Sequence, residues 1–232
     1  MQLPPPVEIA LGEPVREYWL RRAIQHTSDR YAGIPMSKFP EDLRVYEHIL
    51  WSMRPSVVIE LGTDFGGSAL WFRDRLAALR RYGGSDVVQV ISIDKDLERP
   101  RAALVQADPG YADSITLVEG DVTDPNLPKQ VAELLPADAR CFVVEDSAHT
   151  YETTYAALEG FARFVPLGGF FVVEDGCVDI DERRASEAWP RGVLPALHDW
   201  LRTAAGAAFE IRRDLELYGI SCHPEGFLQR VR

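Results

Sequence analysis

Apolar residues along this chain follow two alternating periods. Short runs that are apolar at nearly every position are typical of parallel strands covered on both faces. These runs fall at residues 56–61, 87–93, 115–118, 141–145 and 170–174. Between them, apolar residues recur with the spacing of amphipathic helices, at residues 67–81, 98–107, 127–135 and 151–165. Strands that alternate with helices predict an α/β fold with a mostly parallel, Rossmann-like sheet.

Both ends of the chain depart from this alternation. Residues 14–27 and 41–53 have helical periodicity, and the segment between them, "YAGIPMSKFP", carries the Gly and Pro residues of a loop. At the other end, a helix at 193–204 precedes two strand-like segments that predict a closing hairpin. We therefore expect N-terminal helices with a lid loop over residues 1–54 and a core over residues 55–232, in one compact domain.

Composition and charge narrow the function. The 232 residues carry a formal net charge of −11, which argues against a nucleic-acid or anionic membrane partner bound through a basic surface. No apolar run reaches the ~18 residues of a membrane span. The start, "MQLPPPVEIALGEP", lacks the basic and apolar regions of a signal peptide, and the three cysteines show no C-x-x-C spacing. These features predict a cytoplasmic protein.

Polar residues collect where the predicted strands end, which is where ligands bind in such sheets. The stretch "VVIELGTDFGGSA" is a strand, a Gly-rich turn and a helix start, and it is neither G-x-G-x-x-G nor a Walker motif. Asp94 ends the second strand, where a carboxylate suits a ribose diol, and Asp121 follows the third. The turn alone is compatible with a simple tight connection, but the turn with both acids is more specific for a nucleoside-containing cofactor.

Three further carboxylates follow the fourth and fifth strands. Asp146 ends one strand, and Glu174 and Asp175 end the next. Because neighbouring parallel strands lie about 4.8 Å apart, these groups should converge and repel one another unless a cation joins them. Hard oxygen ligands, with no cysteine expected nearby, favour Mg²⁺ or a similar ion such as Mn²⁺. Each Asp could instead cap the helix that follows, but capping does not explain Glu174.

These motifs resemble those of class I S-adenosylmethionine-dependent methyltransferases. The closer resemblance is to the cephalosporin-hydroxylase-like family, which includes rhamnosyl and macrolide-sugar O-methyltransferases, and it extends over roughly residues 30–232. It is carried by "YAGIP", "VIELGTDFGGSALWF", "ISIDKD", "EGDVTD", "VVEDSAHTYE" and "GGFFVVEDG". The resemblance implies a seven-stranded sheet with an antiparallel last strand, a homo-oligomer, most simply a dimer, and S-adenosylmethionine as cofactor. It implies cofactor contacts from Glu60, Gly62, Thr63, Ser68, Asp94, Asp121 and Asp146.

The same resemblance suggests a mechanism for the three acids that follow the fourth and fifth strands. It implies that Asp146, Glu174 and Asp175 hold Mg²⁺ and that His149, three residues after the first acid, is the base. Mg²⁺ lowers the pKa of an acceptor hydroxyl, and a His base contributes roughly 10²–10⁴ in rate. We therefore expect an O-methyltransferase that methylates a sugar, glycoside or oligosaccharide hydroxyl and releases S-adenosylhomocysteine, in polysaccharide or secondary-metabolite biosynthesis, for example of methylmannose polysaccharide.

Weaker candidates lie outside these motifs. Tyr31 and Lys38 in the N-terminal loop, and Trp189 and Arg191 in the charged segment 179–192, are candidate substrate contacts, although both segments are also compatible with solvated loops. Segment 179–192 is a candidate mobile lid. The other four histidines have no predicted partners and are interpreted as structural or surface residues: His26, His48, His198 and His223.

Two other activities remain open from sequence. A catechol-type methyltransferase would act on a dihydroxyaromatic that binds the metal through both oxygens. An oxygenase or a hydroxylase-associated protein is opposed by the lack of a second histidine near His149, because an iron facial triad needs two.

Overall fold

The computed structural model describes residues 12–219 and 221–232. The expectation about a signal peptide concerns residues that lie almost entirely outside this part. Nine strands are described: β1 Arg30–Tyr31, β2 Ile34–Pro35, β3 Val57–Leu61, β4 Gln89–Asp94, β5 Ile115–Glu119, β6 Cys141–Glu145, β7 Phe170–Val173, β8 Phe209–Ile211 and β9 Phe227–Arg230. The α-helices of this part are α1 Val15–Gln25, α2 Pro40–Met53, α3 Gly67–Arg80, α4 Glu98–Ala107, α5 Leu127–Leu134, α6 Tyr151–Phe161 and α7 Val193–Leu201.

Seven of the strands form one sheet in the order β5-β4-β3-β6-β7-β9-β8. The first five in this order pair in parallel, whereas β9 runs antiparallel to both β7 and β8. The predicted Rossmann-like sheet with an antiparallel last strand is therefore confirmed, and so is the closing hairpin. Parallel pairing brings the carboxyl ends of β3, β4, β6 and β7 to one edge, which is where the polar motifs lie.

The sheet is apolar on both faces because helices cover both. Successive residues of β3 enter different core clusters, with Val57 and Ile59 in one and Val58 in the other. All five residues of β3 and all five of β6 are buried, which explains why neither strand alternates with polar residues.

The N-terminal segment read as a loop contains a tight hairpin. Strands β1 and β2 pair antiparallel across Ala32 and Gly33, which both have positive φ, as a two-residue hairpin requires. After β2, residues 36–39 lead directly into α2. Pro35 to Lys38 line a cavity at the carboxyl edge of the large sheet, which is described below. We call residues 34–38 the strap. Among the described residues, no helix is long and apolar enough to cross a membrane.

Candidate active site

The turn between β3 and α3 comes into contact with the neighbouring strand end. Gly62 has φ +100°, and a Cβ at this position would overlap the backbone carbonyl of Asp146. Asp94 fixes the rest of the turn, because its Oδ2 accepts backbone N–H bonds from Thr63 and Asp64, both at 2.9 Å. The turn is therefore held open by paired hydrogen bonds and is close-packed where only glycine fits.

A cavity of about 420 Å³ opens beside this turn. Its size suits a small-molecule ligand. Six of the residues predicted from sequence line it: Lys38, Gly62, Thr63, Ser68, Asp94 and Asp146. A glycine turn, the start of a helix and an acid at the end of β4 are the groups that a nucleoside-containing cofactor needs, so this chain's residues fit such a group.

Two predicted cofactor residues lie outside the cavity lining. Glu60 is fully buried below the turn, where its Oε2 accepts a hydrogen bond from Ser92 Oγ at 2.5 Å. Burial raises the pKa of Glu60 to about 7. Asp121 is partly exposed, and its hydrogen bonds with Lys95 and Thr123 lower its pKa to about 2. Cofactor contacts from Glu60 and Asp121 therefore remain predictions.

The acids after β6 and β7 meet around His149. The His149 Nε2 atom lies 3.7 Å from Asp146 Oδ1 and 3.5 Å from Asp175 Oδ2. Neither Asp acts as a helix cap: Thr150 caps α6 through a capping box, and the Asp175 side chain makes no capping hydrogen bond. The carboxylates are thus left available for another partner.

Two residues of this cluster have strained backbones. His149 has φ +55° and Asp175 has φ +57°, both in the left-handed region. Such conformations cost roughly 1–3 kcal/mol each and are concentrated at functional sites. In each case the turn aims the side chain back across the strand ends, where the two residues face each other.

Lys38 of the strap reaches into the same cluster. Its side chain is almost fully buried, and Nζ donates to Asp146 Oδ2 and to both carboxylate oxygens of Glu174, each at 2.7 Å. Burial alone would lower the pKa of Lys38, but the two carboxylates outweigh burial and raise it. Lys38 therefore keeps its charge and bonds to two of the predicted metal ligands.

Sequence reasoning missed three buried residues that surround Glu174. The Tyr46 hydroxyl donates to Glu174 Oε1 at 2.5 Å. His223 Nδ1 accepts the Asp175 N–H, so its Nε2 carries the hydrogen, and this atom lies 3.6 Å from Glu174 Oε2 and 3.7 Å from Asp42 Oδ2. The available signal was the polar pair Asp42 and Tyr46, four residues apart on the otherwise apolar inner face of α2.

The interpretation of the remaining histidines as structural or surface residues fits His26 and His198 but did not place His223 at the site. His223 belongs to the cluster just described. His26 is buried and contacts the Ala23 carbonyl through Nδ1, and His198 Nε2 lies 2.8 Å from Glu225 Oε2. Sequence spacing did not indicate these contacts, because the residues that His198 and His223 contact are distant in sequence.

The cluster holds more negative charge than its one ammonium balances. Burial and repulsion by Glu174 raise the pKa of Asp146 well above its ordinary value. Burial would lower the pKa of His149, but Asp175 and Asp146 outweigh it and raise the pKa. Both shifts have the sign expected of a carboxylate group that is short of cations.

The donor set fits a hard divalent cation. Ligand atoms of Asp146, His149 and Asp175 lie within 4.8 Å of one another, as do those of Glu174, Asp175 and His223. His149 Nδ1 and His223 Nε2 are buried and lack hydrogen-bond partners among the described residues. Three carboxylates that face one another offer the oxygen ligands that such a cation prefers, whereas His223 Nε2 carries a hydrogen and is not a metal donor in this tautomer.

The expectation that no cysteine lies near is wrong. The thiols of Cys177 and Cys222 lie within 4.8 Å of an Asp175 carboxylate oxygen. Contact with Cys177, together with burial, raises the pKa of Cys222 well above its ordinary value. Cys222 is therefore a neutral thiol near pH 7, and the charged donors of the site are oxygens.

The other substrate candidates lie apart from the cavity lining. Tyr31 donates to Asp74 at 2.6 Å, Arg191 pairs with Asp181 at 2.6 Å, and Trp189 is half-buried against the core. The ends of segment 179–192 are joined, because the Asp179 carboxylate accepts the N–H groups of Gly192 and Leu194. Substrate contacts and lid motion by this segment remain predictions.

The strand order, the antiparallel β9 and the cavity at the carboxyl edge define the class I methyltransferase fold. A family model described as rhamnosyl O-methyltransferase/CmcI matches residues 24–231, and the chain belongs to this family.

Named relatives are 28% identical to this chain over the aligned residues. The rhamnosyl O-methyltransferases of Mycobacterium tuberculosis and Mycobacterium bovis are 28% identical over 162 residues, which are 69% of this chain and 62% of theirs. The Mycobacterium leprae protein of the same name is 28% identical over 170 residues, which are 72% of this chain and 68% of its own. The chain thus aligns with less than two thirds of the length of the first two.

Solved structures share the fold. The Mg-SAM structure of CmcI-D160 is 26% identical, with a TM-score of 0.60 over 89% of this chain and 78% of its own. MycE from the mycinamycin biosynthetic pathway, in complex with Mg, SAH and mycinamycin VI, is 18% identical, with a TM-score of 0.50 over 81% of this chain and 48% of its own. At that identity, MycE supports the fold alone.

Proposed function

We propose that this protein is an S-adenosylmethionine- and Mg²⁺-dependent O-methyltransferase that acts on a hydroxyl of a sugar, glycoside or oligosaccharide. One observation carries the proposal: in a chain of this family, His149 lies between Asp146 and Asp175 at the edge of the sheet where the cofactor-sized cavity opens. A methyl donor in the cavity and an acceptor at the acidic cluster would then be neighbours.

The cofactor would bind along the glycine turn. Gly62 lines the cavity while its open side packs on the Asp146 carbonyl, and Asp94 already holds the amides of the turn in place. Thr63 and Ser68 add hydroxyl groups to the lining. Support from relatives comes from CmcI-D160, whose structure carries S-adenosylmethionine.

Asp146, Glu174 and Asp175 would hold the metal. When bound, Mg²⁺ would stabilise negative charge that develops on the acceptor oxygen, and Mn²⁺ has the same preference for these donors. The excess of buried carboxylates over cations supports a divalent ion here. Mg²⁺ also accompanies the cofactor in the CmcI-D160 structure.

His149 would take the acceptor proton. Its Nδ1 is buried without a protein partner, while Nε2 faces two carboxylates that favour the imidazolium it becomes. A base poised in this way accepts the proton as the methyl group moves from the sulfonium to oxygen, and S-adenosylhomocysteine leaves. Alignment of the two reactants by the walls of the site would supply much of the remaining rate.

A sugar acceptor is supported by the named relatives, which are rhamnosyl O-methyltransferases. Nothing in the comparisons favours a dihydroxyaromatic acceptor or an oxygenase. We also propose a cytoplasmic homodimer, with residues 1–54 as N-terminal helices and lid beside the core 55–232, and a role in polysaccharide or secondary-metabolite biosynthesis. Light scattering on the purified chain tests the dimer.

The deciding experiment is transfer of labelled methyl groups from S-adenosylmethionine to rhamnosides, mannosides, macrolide glycosides and catechols, with Mg²⁺ or with EDTA. We expect Mg²⁺-dependent labelling of a glycoside. Labelling that survives EDTA contradicts the metal requirement, and labelling restricted to catechols contradicts the sugar acceptor.

A further inference from the structure

Lys38 occupies the centre of the acidic cluster. Its ammonium group makes three 2.7 Å contacts with Asp146 and Glu174, and the side chain is 3% exposed. Among the described residues, no other lysine or arginine forms an ion pair with Asp146, Glu174 or Asp175. The one lysine or arginine charge that these carboxylates contact among the described residues therefore comes from the strap.

The same oxygens are those that a metal would need. Mg²⁺ takes carboxylate oxygens at about 2.0–2.1 Å, so an ion held by Asp146 and Glu174 would lie beside the ammonium at a distance where like charges repel strongly. The Lys38 ammonium brings one positive charge to these carboxylates, whereas a divalent ion brings two. The two cations therefore compete for one pair of carboxylates.

The strap links this competition to the cofactor cavity. Pro35, Met36 and Lys38 all line the cavity. The Pro35 carbonyl lies so close to Gly67, the first residue of α3, that a Cβ there would overlap it. A movement of Lys38 would thus be transmitted along a few residues to the start of the helix at the cofactor turn.

We infer that Lys38 is a built-in counter-cation that holds the acidic cluster together in the metal-free protein and is displaced from Asp146 and Glu174 when a divalent ion binds, repositioning the strap over the cofactor cavity. This inference rests on the proposed function, which supplies the ion. In this inference Lys38 acts in metal binding and release, and not in the substrate contact predicted for it from sequence. Linkage then requires that metal and cofactor alter each other's affinity.

The test is Mn²⁺ binding, measured by electron paramagnetic resonance, in the wild type, Lys38→Met and Lys129→Met. Methionine keeps an unbranched apolar stem and removes the charge. Lys129 is exposed on α5, so its variant is a matched control for the loss of one lysine. We expect Lys38→Met to bind Mn²⁺ at least about tenfold more tightly than the wild type, because the competitor is gone, and Lys129→Met to match the wild type.

Each outcome decides something. Equal or weaker Mn²⁺ binding by Lys38→Met overturns the inference and leaves the proposed function intact. Mn²⁺ binding by Lys38→Met alone supports it in its strongest form. If no variant binds Mn²⁺ while methyl transfer proceeds in EDTA, the metal part of the proposed function fails, and the inference fails with it.

A second measurement uses the wild-type chain, in case Lys38→Met does not fold without metal. Reductive methylation followed by mass spectrometry reports the reactivity of each lysine, with Lys129 as internal reference. We expect Lys38 to be protected in EDTA and modified several-fold faster with Mg²⁺. Unchanged protection of Lys38 at saturating Mg²⁺ counts against displacement.

Discussion

At the carboxyl end of β4, Asp94 accepts two backbone N–H bonds from the turn beside it, whereas at the ends of β6 and β7 the carboxylates of Asp146 and Glu174 share one ammonium. In the first half, the Asp94 carboxylate is met by backbone N–H groups of the adjacent turn, although Asp64 in that turn has φ +45° and Glu60 Oε1 has no partner among the described residues. In the second half, carboxylates from two strand ends share one lysine, and buried imidazole nitrogens lack partners. A carboxylate satisfied by its own turn suits a cofactor common to a whole fold class, and carboxylates that share one cation suit a ligand that brings more positive charge.

The largest expected effect is a loss of activity when the proposed base, His149, is replaced. His149→Asn should lower kcat by about 10²–10⁴ because it removes the proton acceptor. Asn tolerates the left-handed backbone at this position, so the fold should be retained. S-adenosylhomocysteine binding, measured by calorimetry, should be unchanged. The matched control His198→Asn should keep full activity, and full activity in His149→Asn would show that another group takes the proton.

Gly62 joins the two halves, because it packs on the Asp146 carbonyl. Gly62→Ala should lower the free energy of unfolding by on the order of 3 kcal/mol, since the methyl group has no space and φ is positive. Gly83 also has positive φ, at +79°, but open surroundings. Gly83→Ala should therefore cost only about 1–2 kcal/mol. Equal losses in urea unfolding would mean that the contact with Asp146 is unimportant.

The buried Glu60, in the cofactor half of the site, should make the free energy of unfolding depend on pH. Its folded pKa of about 7 lies above the ordinary 4.5, so the folded state binds the extra proton between these values. Its contribution to stability is therefore present at low pH and falls as pH rises from about 4.5 to 7, by about 3 kcal/mol. Glu60→Gln should reduce the fall in stability over this range by about that amount in urea titrations of metal-free protein. An unchanged slope would place its origin elsewhere.

A smaller effect is expected when the hydrogen bond from Tyr46 to Glu174 is removed. Burial raises the pKa of Tyr46 and keeps its hydroxyl a donor. Tyr46→Phe removes one hydrogen bond to a carboxylate and should cost about 1.5–3 kcal/mol of stability at most. It should also weaken Mn²⁺ binding several-fold. Tyr111→Phe is the control, because the Tyr111 hydroxyl makes no hydrogen bond to the described residues. Identical thermal shifts in both variants would contradict a supporting role for Tyr46.

The features that the sequence could predict are those encoded by residues close together in the chain. The alternation of buried strands and helices specified the sheet, and the polar residues that follow each strand specified its functional edge. Lys38 was predicted as a site residue, but its contacts with Asp146 and Glu174 were not. Asp42 and His223 could not be placed, because the packing of α2 and of the segment before β9 brings them to the site from distant parts of the chain. Asp121 pairs with Lys95, a contact that no sequence spacing reveals, and its predicted contact with the cofactor remains a prediction.

The left-handed backbones of His149 and Asp175 also limit which residues mutation can introduce there. β-Branched residues are strongly disfavoured at such φ values, while Gly, Asn and Asp are tolerated. A saturation library at position 149 or 175 should therefore yield folded proteins for only a narrow part of the genetic code. A change of specificity in this protein by laboratory evolution would have to use the side chains around these two positions, because the backbones of His149 and Asp175 accept few other residues.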